Sequence, residues 1–191
     1  RGQNGAISYC NGTICMRPHL SMSRRTRRTP FSSRVEAAGA SGYTVYNHTL
    51  LATSFRGIEV DYWHLCENVQ VWDVSCEKQV TLMGPGANEL TQYMTPRDLT
   101  HAKVGRCYYL PMCDENGNMM NDAVAIKVND RHWRLSVADS DVLLWAKGLA
   151  VGFGLDVEVR EPDIFPLAVQ GPKAEELMCR VFGDEIKDLG F

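Results

Sequence analysis

The residue best placed to do chemistry in this sequence is a carboxylate at the start of an apolar stretch. Asp122 precedes the run 123–128, so its side chain must be solvated or specifically paired, because burying an isolated carboxylate is costly. Two interpretations stay open. Asp122 either solvates the edge of a strand or belongs to a functional site. The pattern by itself favours the first.

The histidines and cysteines do not indicate metal or nucleophile chemistry. The five histidines are scattered, and the spacings of the seven cysteines match no zinc or redox motif. We predict that Cys66, Cys76 and Cys179 are reduced and packed as small hydrophobes. Phosphate-loop, dinucleotide-binding and nucleophile-elbow motifs are missing from the sequence. We therefore expect no metal site.

Charge is distributed unevenly along the chain. Residues 1–35 contain seven arginines and no acid, whereas the whole sequence has a formal net charge of -3. A transit peptide, a basic arm for nucleic acid or phosphate, and a solvated tail all fit this pattern. Ordinary composition, with no apolar run near the roughly 18 residues that span a bilayer, predicts one soluble globular domain. We predict a disordered or non-native leader at 1–22 and the folded domain at 23–191.

An internal repeat indicates the elements that must position Asp122. The segment 80–90 recurs in outline as 167–177, with Gly84 and Gly171 offset by 87 residues. In each copy a strand-like run meets Gly-Pro, which turns the chain and begins a helix. Two such units in one antiparallel sheet, with helices packed on one face, predict an α+β fold of the split βαβ, ferredoxin-like type.

Between the two copies, the sequence predicts a three-stranded meander. The runs 106–113 and 119–128 flank an Asn-Gly turn, and a turn at 129–130 leads into the alternating run 132–138. Asp122 then lies just beyond the hairpin turn.

A helix with an apolar stripe over 142–149 follows the meander. Ser140 or Asp139 can provide its N-cap, because a short side-chain oxygen accepts a free backbone N–H. Gly152 and Gly154 are predicted to end it.

Several ordered motifs resemble the aminomethyltransferase family, which the glycine cleavage T-protein typifies. These motifs are Val71–Ser75, Thr95–Leu99, Gly105–Tyr109, Asp114–Asp122 and Val169–Ala174. Three further segments are more similar to the dimethylsulfoniopropionate demethylase branch of that family, namely Ser23–Phe31, Gly42–Asn47 and Ala138–Trp145. The resemblance covers about residues 23–191 and implies that a full-length member continues beyond them.

The resemblance implies a tetrahydrofolate-dependent methyltransferase. In this branch a methyl group moves from the sulfonium of dimethylsulfoniopropionate to N5 of tetrahydrofolate, which gives methylmercaptopropionate and 5-methyltetrahydrofolate. One alternative is an aminomethyltransferase of the glycine cleavage system or a dimethylglycine-type folate enzyme. Another is a non-catalytic folate-binding module. Because the folate-binding domain is incomplete at its C-terminus, the isolated chain is expected to have weak or no activity.

The family pattern also implies site residues. Asp122 matches the second aspartate of a Gly-Gly-(apolar)-(apolar)-Asp-Asp motif at the reactive end of folate, which now favours a catalytic and cofactor-binding role. Tyr109 matches a folate-contacting tyrosine, and Ser136 and Val137 replace T-protein residues near the pterin. Tyr46 is a candidate for binding the sulfonium, because an aromatic face attracts a desolvated cation. Departures from the T-protein pattern that agree with the demethylase branch occur at Asn118, Asn121 and 136–138.

The expected partners are a small-molecule substrate and tetrahydrofolate, with neither nucleic acid nor a membrane, and a homodimer is left open. The arginine cluster at 24–28 is expected to be an exposed flexible arm. A cytoplasmic location is expected, with a mitochondrion or another organelle as the alternative if the basic N-terminus is a transit peptide.

Overall fold

The structure, a computed structural model, describes residues 9–10, 13–14 and 25–189, so most of the predicted leader at 1–22 lies outside the described residues. The described chain mixes antiparallel strands with helices, as the predicted α+β class requires. The strands are β1 (Tyr9–Cys10), β2 (Thr13–Ile14), β3 (Gly42–Tyr46), β4 (Thr49–Ser54), β5 (Gln70–Asp73), β6 (Gln79–Met83), β7 (Cys107–Cys113), β8 (Met119–Asn129), β9 (His132–Ser136), β10 (Glu158–Arg160) and β11 (Leu167–Gln170). The helices are α1 (Ser32–Ala37), α2 (Ile58–Glu67), α3 (Ala87–Tyr93), α4 (Val142–Gly152), α5 (Ala174–Phe182) and a 3₁₀ helix at Asp184–Asp188.

The largest sheet has five antiparallel strands in the order β10-β6-β9-β8-β7. Helix α3 follows β6, and helix α4 joins β9 to β10. Without the edge strand β7, the chain runs strand, helix, two strands, helix, strand. This is the predicted ferredoxin-like arrangement, extended by one strand.

The predicted meander is confirmed as β7, β8 and β9. The turn between β7 and β8 depends on a residue that the Asn-Gly signal does not include. Asp114 Oδ1 accepts the backbone N–H groups of Asn116 at 2.9 Å and Asn118 at 2.8 Å. Gly117, at φ +81°, takes the left-handed conformation that the turn needs.

Both copies of the repeat form a strand, a Gly-Pro turn and a helix, as predicted, but the prediction that they share one sheet is wrong. Strand β6 belongs to the five-stranded sheet, whereas β11 pairs with β5 in a separate two-stranded sheet. Gly171 packs against the backbone of Asn68, just before β5, the strand with which β11 pairs.

The core lies between the five-stranded sheet and helices α3 and α4. Its largest member, Trp133, is 1% exposed, and its indole Nε1 donates to Asn88 Oδ1 at 2.7 Å. Fully burying a large apolar side chain contributes about 1.5–3 kcal/mol, so this layer stabilises the sheet from one side. Other nearly inaccessible members are Val80, Leu82, Leu90, Met94, Leu110, Met112 and Leu135.

The predicted capping of α4 is wrong. The N-cap is Asp141, and its side chain makes no capping bond. The two expected caps bind elsewhere: Asp139 Oδ1 accepts the backbone N–H of Asn47, and Ser140 Oγ accepts the side chain of Asn121. Helix α4 ends at Gly152, as predicted.

The described part of the arginine cluster makes specific contacts with the rest of the chain. Arg27 forms a backbone bridge with Thr49, and its Nη1 lies 2.7 Å from Glu161 Oε1. Arg28 pairs with Glu36. Both side chains stay largely exposed, so the expected exposure is confirmed, and the expected flexibility stays a prediction.

The cysteines differ in burial. Cys76 is 2% exposed, as predicted for a small hydrophobe, but Cys66 is exposed and Cys179 is only partly buried, so the prediction of packing is wrong for Cys66. Within residues 25–189 no group of histidine, cysteine and acidic side chains could hold a metal ion. Nor does any helix in the described ranges have the length and apolar character needed to cross a membrane.

Candidate functional site

The sheet face turned away from α3 and α4 carries Asp122. Successive residues of a strand point to opposite faces. Ala123 and Ala125 lie in the core, at 1% and 0% exposure, so Asp122 and Val124 belong to the other face. Asp122 is exposed there and accepts no hydrogen bond from any described residue. Its carboxylate is therefore available to a ligand.

Strand register brings Tyr109 and Ser136 into one row on this face. Val124 of β8 pairs with Tyr109 of β7 on one side and with Ser136 of β9 on the other. Ser136 in turn pairs with Gln79 of β6, whose Nε2 donates to Ser136 Oγ at 2.8 Å. The Tyr109 residue is 47% exposed. Asp122 lies one row further along the face.

A second carboxylate stands near Asp122. The ladder between β6 and β9 continues past its last paired residues, because the backbone N–H of Val137 donates to Lys78 O at 2.9 Å. Extending the registers of these strands two residues past Ser136 places Glu77 level with Ala138 and with Asp122. Loss of water around the Glu77 carboxyl raises its pKa, although much of the residue is exposed, and the charge of Asp122 raises that pKa further.

Glu77 also connects Tyr46 to this group. The pKa of Tyr46 is raised, first by burial, against a hydrogen bond to the backbone of Asp139 that lowers it, and Glu77 adds to the increase. Tyr46 on β3 and Asp122 on β8 therefore both lie within electrostatic reach of one carboxyl. An aromatic ring and two carboxyl groups meet at this end of the sheet.

Two buried asparagines fix the chain that runs past these groups. Asn47, at φ +48°, donates from Nδ2 to Cys76 O at 3.0 Å and to Ala138 O at 3.2 Å. Asn121 Nδ2 donates to Ala138 O at 3.1 Å and to Ser140 Oγ at 2.8 Å. The segment after β9 is thus held from both sides, and it carries the small side chain of Ala138 between the two carboxyl groups.

Val137 does not share the site with its side chain. It is 2% exposed and belongs to the core, and its backbone N–H is used by Lys78 O. A cofactor contact through Val137 is left to its backbone carbonyl and stays a prediction. Of the other predicted residues, the structure brings together Asp122, Tyr109, Ser136 and Tyr46, and their ligand contacts likewise stay predictions.

Sequence reasoning missed Glu77, Gln79 and Asn47. The alternation of Glu77 and Gln79 around Lys78, just before an apolar strand, is a pattern that predicts one polar face, and it could have identified the first two. Asn47 precedes His48 in a turn where both residues have positive φ. Asparagine favours such a turn, but no local pattern shows that its side chain reaches Ala138.

Comparison with known proteins identifies the family to which the chain belongs. Residues 31–191 match the family model described as the GCVT N-terminal domain. The chain therefore belongs to the GCVT N-terminal domain family, the family of the aminomethyltransferases that its motifs resemble.

Individual relatives differ in their sequence identity to the chain. The chain is 53% identical over 169 residues to the dimethylsulfoniopropionate demethylase DmdA of Ruegeria pomeroyi, which is 88% of this chain and 46% of that protein. An aminomethyltransferase of Natranaerobius thermophilus is 29% identical over 145 residues, which is 74% of this chain and 39% of the relative. The chain thus spans less than half the length of the curated relatives it matches.

A solved structure agrees on the fold. Aminomethyltransferase T of the glycine cleavage system from Bartonella henselae superposes with a TM-score of 0.73 at 21% identity, covering 81% of this chain and 43% of the other. At that identity the likeness concerns the fold alone.

Proposed function

We propose that the full-length protein transfers a methyl group from dimethylsulfoniopropionate to tetrahydrofolate. The observation that carries this proposal is the 53% identity to a dimethylsulfoniopropionate demethylase over 88% of the chain. The aminomethyltransferases of the same family reach 24–29% identity. An enzyme that uses an amine donor is therefore less well supported.

The residues on the sheet face fit tetrahydrofolate. A reduced pterin presents several N–H donors along its edge, so a carboxylate acceptor beside an open apolar or aromatic surface suits it. Asp122 supplies an exposed acceptor without a hydrogen-bond donor among the described residues, and Tyr109 supplies a half-exposed ring one row away. When bound, tetrahydrofolate supplies the nitrogen that receives the methyl group.

Asp122 is proposed to hold and orient the cofactor by accepting one of its N–H groups. A charge-assisted hydrogen bond of this kind is worth about 1.5–3 kcal/mol, so it fixes the ring as well as binding it. Tyr109 would pack against the ring, and Ser136, held by Gln79, would present its hydroxyl to the same row. We propose the carbonyl of Val137 as a further acceptor.

The sulfonium would bind at the acidic end of the face. A desolvated cation is attracted by carboxylates and by the face of an aromatic ring. Tyr46, Glu77 and Asp122 provide these groups together.

The chain's contribution to the reaction is then alignment and exclusion of water. Methyl transfer breaks the sulfur–carbon bond, leaves its electron pair on the sulfur, forms a carbon–nitrogen bond and releases one proton. The donor is already activated by its positive charge. Orientation of the two reactants can then lower the barrier by about 7 kcal/mol or more in favourable cases. The two asparagines that clamp residues 138–140 keep the acidic end in place.

The test is an assay of the full-length protein with tetrahydrofolate and one methyl donor at a time. We expect 5-methyltetrahydrofolate and methylmercaptopropionate from dimethylsulfoniopropionate, identified by mass spectrometry. Dimethylglycine and an aminomethyl-loaded lipoyl carrier serve as competing donors. Turnover with either of these, but not with the sulfonium compound, would contradict the proposal.

A further inference from the structure

The sheet face that carries Asp122 becomes basic toward its other end. Along β9, Arg134 and then His132 follow Ser136 on the same face at intervals of two residues. Arg134 pairs with Thr81 of β6, and Thr81 pairs with Arg160 of the edge strand β10. One row of the sheet therefore carries two guanidinium groups.

Arg134 lacks a counter-charge in the part of the chain that the structure describes. It is partly buried, its Nε is shielded from solvent without a hydrogen-bond partner, and its side chain forms no ion pair within the described residues. Shielding a charged nitrogen from water without a partner is costly, so an anionic ligand at Arg134 would supply both the missing hydrogen bond and the missing charge. Arg160 is exposed and lies 3.6 Å from Glu158, which compensates it in part.

His132 responds to the same positive potential. Its Nε2 is buried without a hydrogen-bond partner among the described residues, and the pKa of its imidazole is lowered, first by loss of water and then by Arg134 and Arg160. Glu158 lies in the next row, that of His132, but Met83 separates it from His132. Around Arg134 these two neighbouring rows therefore carry more positive than negative charge, which attracts an anion.

We propose that Arg134, assisted by His132 and Arg160, binds the glutamate carboxylates of tetrahydrofolate. This inference rests on the proposed function and assigns the second end of the same ligand. Along β9 the Arg134 row is four residues from the level of Asp122, which corresponds to about 13 Å in an extended strand. The Tyr109 row lies between the two.

The polarity of the face matches the polarity of the ligand. Folate carries a pterin rich in N–H donors at one end and a glutamate at the other, with an aminobenzoyl ring between them. A carboxylate acceptor at Asp122, an exposed ring at Tyr109 and an unpaired cation at Arg134 occur in that order across the face. A free phosphate could bind the cationic row, but it would not use Asp122 or Tyr109.

The experiment compares two ligands on the full-length protein. Tetrahydrofolate and tetrahydropteroate, which lacks the glutamate, are titrated by calorimetry under anaerobic conditions into wild type, Arg134→Gln and Arg131→Gln. Arg131 is a matched control, since it is an exposed arginine at the turn that precedes β9. For Arg134→Gln we expect the Kd of tetrahydrofolate to rise about tenfold or more, the equivalent of a lost charge-assisted bond, with that of tetrahydropteroate unchanged.

Further outcomes separate the two proposals. Arg134→Lys should recover part of the affinity because it keeps the charge, and its thermal unfolding checks the fold of the site. Equal weakening of both ligands in Arg134→Gln, or a wild type that binds both ligands equally well, would overturn the carboxylate assignment and leave the proposed function standing. A wild type that binds neither ligand would overturn the proposed function itself.

Discussion

The two copies of the strand, Gly-Pro and helix unit are alike in local structure and unlike in burial. In the first copy, residues of β6 and α3 such as Leu82 and Leu90 are inaccessible to solvent. In the second, α5 has no buried residue, and Leu167 and Phe182 are 45% and 65% exposed. Strand β6 has neighbours on both edges, whereas β11 pairs only with β5 among the described residues. The motif makes the turn, and the neighbouring strands and helices make the core.

The Gly-Pro turn nevertheless has a similar backbone conformation and packing in both copies. Gly84 has φ +135° and Gly171 has φ +118°, and a Cβ at either position would collide with the carbonyl oxygen of a residue that follows a helix, Asp156 or Asn68. Because the same clash occurs at equivalent positions, each Gly-Pro turn packs closely against a loop that joins a helix to the next strand.

The largest expected effect compares equivalent leucines in the 191-residue chain. Leu90 of α3 is fully buried, and Leu177 of α5, at the matching repeat position, is only partly buried. Leu90→Ala should lower the free energy of unfolding by about 2–5 kcal/mol, because it leaves a cavity in packed surroundings. Leu177→Ala should cost about 1 kcal/mol or less. Urea unfolding measures both, and equal losses would show that the second copy is as well packed as the first.

The next largest effect concerns the glycines of the two Gly-Pro turns. Gly84→Ala and Gly171→Ala should each cost about 1–3 kcal/mol, since both put a side chain at strained φ and into backbone atoms. The control is Gly148→Ala inside α4, where a Cβ would meet nothing within 4 Å. That change should stabilise the chain by about 0.4–1 kcal/mol through the unfolded state. A neutral Gly171→Ala would mean that only the first copy has the packed turn.

A smaller effect is visible in the thiols near the two copies. Burial raises the pKa of Cys76, just before β6, to about 11, so little thiolate forms at pH 8. Cys66 on α2, beside the second copy, is exposed. With a maleimide at pH 8, mass spectrometry of peptides should show Cys66 labelled first, and labelling of Cys76 should accelerate as the pH approaches that value. Rapid labelling of Cys76 at pH 8 would contradict its burial.

Local signals were enough to predict several elements. The Asn-Gly turn, the Gly-Pro joints and the alternation along β9 each depend on a few adjacent residues, and the corresponding strands and helices are where the sequence predicts them. Asp122 and Tyr109 share a sheet face because of the same period of two. These features follow from the residue preferences of turns and from the alternation of side chains along a strand.

Long-range competition explains what the sequence could not predict. Asp139 is a good N-cap by type, but the backbone of Asn47, 92 residues away, takes its carboxylate. The partner of β11 is β5, which lies nearly a hundred positions earlier and carries no signal for that pairing. Glu77 reaches the site only because the sheet places β6 two strands from β8. Such contacts depend on the completed fold.

The proposed site belongs to the well-packed region, and the tetrahydrofolate affinity of Asp122→Asn in the full-length protein tests it most directly. Asp130→Asn, at the other end of β8 with an 86% exposed side chain, is the control. Asp122→Asn should raise the Kd about tenfold or more and lower kcat/KM for dimethylsulfoniopropionate, because a charged acceptor is lost. The control should bind like wild type, since exposed ion pairs contribute only about 0–1 kcal/mol. Unchanged affinity and turnover in Asp122→Asn would contradict the assignment of this sheet face as the folate site.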